Sequence, residues 1–313
     1  MPQPVIAVVG PTAAGKSELS LRLAQSLGGE VVNADSMQLY RGMNIGTAKL
    51  PPGQRGGVPH HLLDIWEVTK TASVFEYQRL ARSTIEAIHS RDRVPVVVGG
   101  SGLYIRAILD NLRFPGTDPR LRDGLEGELA EIGAAALHAR LARLDPAAAA
   151  AILPSNGRRI VRALEVIELS GRPFSATLPG YESIYPVIQI GVSVPRAELD
   201  ERISRRVRRM WQAGFVAEVR GLAAAGLRSG KTASRALGYA QVLRFLDGEW
   251  PEEQAEAETV RATRKFARRQ ESWFRRDPRI IWLSADGADL AGQALDTIRS
   301  CGLPRATEQE TTS

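Results

Sequence analysis

The sequence region with the clearest chemical meaning lies near the N-terminus. Residues 10–17 read Gly-Pro-Thr-Ala-Ala-Gly-Lys-Ser, which matches the pattern G-x-x-x-x-G-K-[ST]. In such a loop, main-chain N–H groups converge on phosphate oxygens at the N-terminus of a helix. Lys16 would neutralise the terminal phosphate, and the Ser17 hydroxyl would ligate Mg²⁺ as the cofactor. The residues predicted to bind polyphosphate are Gly10, Pro11, Thr12, Ala13, Ala14, Gly15, Lys16 and Ser17.

The sequence lacks the second acidic residue that a nucleotide hydrolase of this type normally carries at the end of a buried strand. The best such strand, residues 95–98, is followed by Gly-Gly-Ser-Gly. Asp35 follows another predicted strand, and ligands of open parallel sheets bind outside the carboxyl ends of the strands. A carboxylate there could accept a proton from an attacking nucleophile. The alternative is that Asp35 caps the next turn, but a cap would not explain the missing acid.

These residues need a parallel sheet to position them. Short apolar runs predict buried strands, and the apolar periodicity between them predicts helices. Strands that alternate with helices indicate a parallel sheet with right-handed crossovers. We therefore predict an α/β fold with a P-loop NTPase-like parallel sheet core. The predicted strands are residues 5–9, 30–33, 95–98, 187–192 and 280–283, and the predicted helices include 15–27, 74–89, 196–213, 215–225, 234–246 and 252–276.

The chain is predicted to contain a core that is interrupted by an insertion. Its 313 residues suggest two domains, at roughly 150 residues per domain. Residues 114–185 have no convincing buried strand but have helical stretches rich in Ala and Leu, one of them starting after Asp118-Pro119. The predicted organisation is a catalytic core at 1–113 and 186–305, an inserted all-helical subdomain at 114–185, and a frayed tail at 306–313.

Composition excludes several classes of protein. A hydrophobic content of 43% with 24% charged residues excludes a mainly disordered chain. The single cysteine, Cys301, excludes an internal disulfide framework and a zinc site built on several cysteines. The sequence contains no apolar run of membrane-spanning length, and its start lacks the basic residues of a secretory signal. We therefore expect a cytoplasmic protein that does not enter a membrane.

The basic residues are unevenly distributed. The formal net charge is +6, yet residues 196–276 alone contain 18 basic and 11 acidic residues. One segment therefore carries the whole excess, as expected of a surface that meets a polyanion. The alternative is a solvated helical face with chance clustering. The predominance of arginine over lysine is explained by biased genome composition.

Several blocks of the sequence together resemble the tRNA dimethylallyltransferases, also called tRNA isopentenyltransferases. The similarity runs along nearly the whole chain to about Leu283, and an ordered series of blocks is far more specific than a lone P-loop. Eukaryotic members carry an additional zinc finger that this sequence lacks, so we expect a bacterial-type member. The blocks are residues 10–17, 33–40, 46–49, 60–64, 99–104, 158–165, 235–239 and 263–274.

The resemblance implies transfer of a dimethylallyl group from dimethylallyl diphosphate to N6 of adenosine 37 in tRNA, beside the anticodon. The loop would then hold a diphosphate leaving group, so no hydrolytic water and no second acid are needed. Asp35 would hydrogen-bond the exocyclic amine, aim it at the allylic carbon and take up its proton. The resemblance places Thr12 and Arg235 near the diphosphate and Ser101 near the adenosine. The implied catalytic residues are Asp35, Lys16 and Ser101.

The resemblance also implies contacts with the anticodon stem-loop. A stacked adenine cannot reach a buried carboxylate and must be flipped into a channel. The basic segment 196–276 would face the anticodon stem, and the inserted subdomain would clamp its other side. For Arg159 and Arg162 the alternative is a surface helix face without a ligand. The implied tRNA-binding residues are Asp35, Ser36, Met37, Gln38, Ser101, Arg122, Arg159, Arg162 and Arg235.

Three other functions share parts of this pattern. An adenylate dimethylallyltransferase would use the same loop and aspartate, but a free nucleotide needs neither the insertion nor the basic segment. A P-loop small-molecule kinase would use Asp35 to activate a hydroxyl, and a non-catalytic RNA-binding protein would not need Lys16, Ser17 and Asp35 together. A loop of this type also binds ATP, although nothing indicates that ATP is consumed. The simplest expectation for the oligomeric state is a monomer.

Two pairs of adjacent residues could suggest a metal site and a base-stacking site, and we assign neither. His60 and His61 suggest a metal site, but adjacent side chains project differently and no third ligand is spaced nearby. We expect a structural or substrate-positioning role for them. Trp273 and Phe274 are expected to pack the last long helix, on which they lie, against the core rather than to stack on bases.

Overall fold

The computed structural model describes residues 3–112, 114, 116–174, 180–287 and 289–302. The chain forms two compact units, one of Met1–Leu109 with Ser183–Ser313 and one of Asp110–Glu182. The second unit overlaps the segment that was predicted as an insertion. The predicted frayed tail, residues 306–313, lies outside the described residues.

The first unit is built on one parallel sheet, to which the described residues contribute six strands in the order β3-β2-β4-β1-β5-β6. All neighbouring strands pair in parallel, which confirms the predicted α/β fold class. The two-residue strand β3 was not predicted, because so short a segment carries no apolar run. The strands are β1 (Val5–Val9), β2 (Glu30–Asn33), β3 (His60–His61), β4 (Pro95–Gly99), β5 (Val187–Ser193) and β6 (Ile280–Ser284).

Helices cover both faces of the sheet. Alternate residues of β1 face opposite sides, so Ile6 packs with α1 and α11, and Ala7 packs on the side of α2 and α3. Every residue of β1 is fully buried, as expected of the central strand of a doubly covered parallel sheet. The helices are α1 (Lys16–Leu27), α2 (Val74–His89), α3 (Gly102–Leu109), α4 (Pro119–Leu144), α5 (Pro146–Ala151), α6 (Gly157–Ser170), α7 (Arg196–Gln212), α8 (Phe215–Ala224), α9 (Tyr239–Leu246), α10 (Glu252–Phe274) and α11 (Leu290–Ser300).

The predicted helix at 234–246 is wrong in its first half. A single 3₁₀ turn spans Ala233–Arg235, and α9 begins only at Tyr239. Gly238 has φ of 84°, a conformation that glycine adopts readily and that ends helical geometry. The break matters for the site, because it turns residues 235–238 towards a cavity that is described below.

The second unit is all-helical within its described residues. The Asp118 side chain caps α4 by accepting the N–H groups of Arg120 and Leu121. Gly133, with φ of 82° and ψ of 166°, interrupts α4. The segments of α4 on either side of this kink pack against α6 around a core of their own. That core includes Leu125, Leu137, Leu141, Ile160 and Leu164.

The structure shows the surroundings of the two adjacent pairs, Trp273 with Phe274 and His60 with His61. Phe274 is buried as predicted, but Trp273 is 42% exposed, so its assignment to the core was wrong. Consecutive helix residues point about 100° apart, so only one of the two can face the core.

His61 Nε2 lies 2.6 Å from Glu30 Oε2, and among the described residues no cluster of three or more His, Cys, Asp and Glu side chains could hold a metal ion. No helix in the described part is long and apolar enough to cross a bilayer.

Candidate active site

The phosphate loop connects β1 to α1, the placement that its mechanism requires. Gly10 has φ of 137°, and a Cβ at this position would lie 2.7 Å from the carbonyl oxygen of Val192. Only glycine therefore fits where the chain leaves β1. Because α1 begins at Lys16, the main-chain N–H groups of the loop lie at the positive end of the helix dipole.

Lys16 is the charged group of this loop. Its ammonium donates a hydrogen bond to the Pro11 carbonyl oxygen at 2.7 Å. The pKa of Lys16 is lowered to about 8, first by burial and then by the charge of the nearby Arg206, while the charge of Asp35 opposes the shift. A lysine whose pKa is lowered in this way gains stability as a cation when an anion binds beside it. The loop is therefore electrostatically suited to a phosphate or diphosphate group.

Arg206, on α7, adds a second cation at the loop. It donates hydrogen bonds to Thr12 Oγ1 and to the Thr47 carbonyl oxygen, each at 3.3 Å. Burial lowers the pKa of Arg206, while the charge of Asp35 opposes that shift. Sequence reasoning missed this residue, because the basic excess of the segment did not show which of its arginines bonds to the phosphate loop.

Asp35 lies two residues beyond the end of β2, half-buried, in a tight turn. Its N–H donates to Asn33 Oδ1 at 2.9 Å, and its Oδ1 accepts the N–H of Met37 at 2.9 Å. The turn-capping role considered for Asp35 is therefore present, and it uses one carboxylate oxygen. This bond also fixes the direction in which the carboxylate points, which a general base requires.

Ser101 and Ser36 come together from two neighbouring strands. Ala34 N–H donates to the Val98 carbonyl oxygen at 2.7 Å and so joins the ends of β2 and β4. Just beyond this bond the hydroxyl oxygens of Ser36 and Ser101 are 3.4 Å apart. The structure thus places Ser101 beside the segment that follows Asp35.

Two cavities meet at these residues. The larger, of about 750 Å³, is lined by the phosphate loop and by arginines of α7. The smaller, of about 340 Å³, has apolar walls that include Val207, Met210 and Phe215, together with the polar residues Ser36 and Ser101. The residues that border both cavities are Thr12, Asp35, Thr47, Arg206, Met210 and Phe266.

Apart from Gly10, Pro11 and Ala14, the predicted site residues of this unit border one or both of the cavities. Lys16, Ser17 and Gln38 border the larger cavity, whereas Met37 and Arg235 border the smaller one. Arg235 therefore shares a cavity with Ser101 and with Thr12 of the phosphate loop. Its proximity to a diphosphate stays a prediction.

The arginines that were predicted for the helical unit differ in their surroundings. Arg122 and Arg162 each bond to Oε2 of Glu165, whose side chain is 0% exposed. Arg162 also donates to the Gly116 carbonyl oxygen at 3.2 Å. Arg159 is exposed. The ion pairs give Arg122 and Arg162 a role within this unit, and tRNA binding by all three stays a prediction.

Glu165→Ala is expected to lower the free energy of unfolding of the helical unit by about 3 kcal/mol, since Arg122 and Arg162 would then lack the buried carboxylate that neutralises their charge. Urea denaturation followed by circular dichroism measures the change. The control is Glu168→Ala on the same helix, whose pair with Arg140 is about a third exposed. That variant should cost less than about 1 kcal/mol. Equal losses in the two variants would contradict the structural role of Glu165.

Sequence reasoning also missed two polar side chains that hold the cavity walls. Glu218 accepts the N–H groups of Asn44, Ile45 and Gly46, and the hydroxyl of Tyr239 donates to it at 2.6 Å. Gln270 contacts the phosphate loop itself. Gln270 lies inside one of the blocks that carry the family resemblance, and this was the only sequence signal for it. The contact between Glu218 and residues 44–46 joins distant segments and left no local pattern.

Comparison with known proteins agrees with this arrangement. The model of the IPP transferase family matches residues 38–277, and that of the isopentenyl transferase family matches residues 3–58. The tRNA dimethylallyltransferase of Thermobifida fusca is 68% identical over 295 residues, which cover 93% of this chain and 92% of the relative.

Solved structures of tRNA-modifying prenyltransferases are similar to this chain as well. The full-length tRNA isopentenylpyrophosphate transferase of Bacillus halodurans is 39% identical, with a TM-score of 0.71 and 95% of each chain covered. A eukaryotic dimethylallyltransferase acting on tRNA has a TM-score of 0.83 at 25% identity, covering 98% of this chain and 81% of the other. From the family match over most of its length and the high identity to its relatives, the chain belongs to the IPP transferase family, that of the tRNA dimethylallyltransferases.

Proposed function

We propose that this protein transfers the dimethylallyl group of dimethylallyl diphosphate to N6 of adenosine 37 in tRNA, next to the anticodon. One observation carries the proposal: Asp35 borders both the cavity lined by the phosphate loop and the smaller, largely apolar cavity. A carboxylate at that junction can hold the exocyclic amine of an adenine against an allylic carbon whose diphosphate lies in the loop. The names of the related proteins support the same substrates.

Departure of the diphosphate accounts for most of the activation barrier of the transfer reaction. When the allylic C–O bond breaks, negative charge accumulates on the diphosphate while the allylic cation is delocalised. Residues of the phosphate loop, among them Lys16, and Arg206 of α7 line the cavity in which that charge would develop. Donors that are already in place lower the barrier because they need no reorganisation as the charge forms.

Ser17 is the residue that would hold Mg²⁺. It lies in the first turn of α1 and borders the larger cavity. A hydroxyl oxygen is a ligand type that Mg²⁺ accepts, and the ion commonly combines one or two protein ligands with phosphate oxygens and water. The bound ion would add positive charge to the diphosphate.

The amine side of the reaction uses Asp35 and Ser101. Asp35 would accept a hydrogen bond from the N6 amine, orient its lone pair and take the proton that is released when the C–N bond forms. Ser101 lies 3.4 Å from Ser36 through the two hydroxyl oxygens and would position the adenine. The apolar side chains of Val207, Met210 and Phe215 would enclose the dimethylallyl group.

The tRNA would be held by phosphate contacts around the site. The basic helices α7 and α10 supply arginines, among them Arg202 and Arg269, that border the cavities. Such contacts fix orientation without reading sequence, whereas Ser36, Met37 and Gln38 would contact the bases beside the adenosine. Exposed Arg159 on the helical unit would contribute a further phosphate contact. We propose that the reaction takes place in the cytoplasm.

The decisive assay offers radiolabelled dimethylallyl diphosphate with tRNA, with AMP, or with a tRNA in which adenosine 37 is replaced by guanosine. We expect label to enter only the tRNA that carries adenosine 37. Label in AMP but not in tRNA would replace this function with that of an adenylate dimethylallyltransferase. Phosphate transfer from ATP without prenylation would indicate a kinase.

A further inference from the structure

Gln270 joins two separate segments of the active site through one amide group. The side chain lies on α10 and is only 6% exposed. Its Oε1 accepts the N–H of Thr12 at 2.9 Å, and its Nε2 donates to the Gly100 carbonyl oxygen at 2.8 Å. Thr12 belongs to the phosphate loop, and Gly100 immediately precedes Ser101. Gln270 therefore links the diphosphate side of the site to the adenosine side.

The chemistry of this link is specific to an amide. Only a side chain with both an acceptor and a donor can make the two bonds, so a carboxylate would keep the bond from Thr12 but would face the Gly100 oxygen without a proton to share. The packing is also closely fitted. A Cβ at Gly100 would lie 2.1 Å from Nε2 of Gln270, whereas the next residue it would meet, Gly10, is 3.6 Å away at its carbonyl oxygen.

Gln270 and Arg206 hold Thr12 from two sides. Gln270 binds the main-chain N–H of Thr12, and Arg206 donates to the hydroxyl of the same residue at 3.3 Å. Arg206 in turn donates to the Thr47 carbonyl oxygen at 3.3 Å. Thr12 borders both cavities, so a shift of this residue changes the distance between the diphosphate cradle and the adenine position.

We propose that Gln270 is a positioning residue of the transfer reaction. It acts through Thr12 and Gly100 to fix the distance between the diphosphate leaving group and Ser101. The inference rests on the proposed function, because the distance between the two sides of the site matters only if two substrates meet at this junction. A displacement of about 1 Å at a reacting centre costs about a hundredfold in rate. The loss should therefore appear in kcat rather than in KM for tRNA, because the substitution leaves the arginines that would contact tRNA phosphates unchanged.

The test compares Gln270→Glu with the wild-type enzyme and with Gln78→Glu. Gln78 is a buried glutamine of α2 that also donates to a main-chain carbonyl oxygen, that of Ala107 at 2.9 Å, and it borders neither cavity. We expect Gln270→Glu to lower kcat about a hundredfold with KM for tRNA within about threefold. Gln78→Glu should keep kcat per folded molecule within about threefold. Equal kcat losses in the two variants, or a Gln270→Glu loss that follows only the fraction of folded protein, would overturn the proposal.

A double-mutant cycle supplies a second, independent readout. Gly100→Ala places a methyl group where the Gln270 amide lies, so it should break the same link as Gln270→Ala. The double variant should then be about as slow as the slower single variant, since both changes remove one interaction. Losses that multiply would show that the two residues act separately and would overturn the proposal. Failure of the wild-type enzyme to transfer label to tRNA would instead reject the proposed function, so the two failures are distinguishable.

Discussion

Asp35→Asn is expected to lower kcat for transfer to tRNA about a thousandfold, within the range that general-base catalysis contributes. Asparagine keeps an oxygen that can accept the Met37 N–H, so the turn that Asp35 forms at 2.9 Å should persist. The amide cannot take the proton from N6, and it carries no charge to stabilise the developing cation. Single-turnover measurements with labelled dimethylallyl diphosphate report the chemical step directly.

Binding separates a catalytic role of Asp35 from a structural one. The dissociation constant for tRNA should change by less than about threefold, because asparagine keeps an oxygen that can accept a hydrogen bond from N6 and the phosphate contacts of the tRNA are unchanged. Asp289→Asn is a matched control, since Asp289 caps α11 by accepting the Gly292 N–H and borders neither cavity. Parallel loss of tRNA affinity and of rate in Asp35→Asn would show that Asp35 supports the fold of the site rather than the chemistry.

The parts of the fold that sequence predicts well are those with a local cause. The apolar run at residues 5–9 and the glycines of residues 10–17 define a strand, a loop and a helix start within a few positions of one another, and the structure has them there. α2 begins and ends at the predicted residues, 74 and 89, because its apolar period is uninterrupted and Ser73 caps it. Each of these signals lies inside the element that it specifies.

The parts that were missed have causes in distant segments. The chain breaks before α9 where Gly238 packs against Phe215, a contact that helix periodicity alone does not report. Arg206 and Gln270 are two of many arginine and polar side chains on long helices. Only their contacts with Thr12, across 194 and 258 positions of sequence, distinguish them from solvent-facing neighbours. Sequence thus predicts the chemistry of the site better than it predicts the residues that position it.

Lys16→Met is expected to lower kcat/KM for dimethylallyl diphosphate about a thousandfold, since it removes a charged donor from the place where the leaving group develops charge. Lys16 should also give the wild-type enzyme an alkaline limit. Its pKa is lowered to about 8, so the ammonium is present below that pH and is lost as the pH rises through it. Because kcat/KM reports the free enzyme, it should fall progressively above pH 8, and steady-state rates between pH 6 and 10 measure that fall.

Lys16→Arg tests whether the alkaline limit belongs to this side chain. A guanidinium stays charged across the whole range, so the fall above pH 8 should disappear even though the bulkier group lowers the rate at neutral pH. Lys265→Arg on α10 is the control, since Lys265 borders neither cavity, and its profile should match that of the wild type. An alkaline fall that survives in Lys16→Arg would assign the titration to another group. The phosphate loop would then act through its main-chain donors and Arg206, with Lys16 contributing charge that does not titrate in the working range.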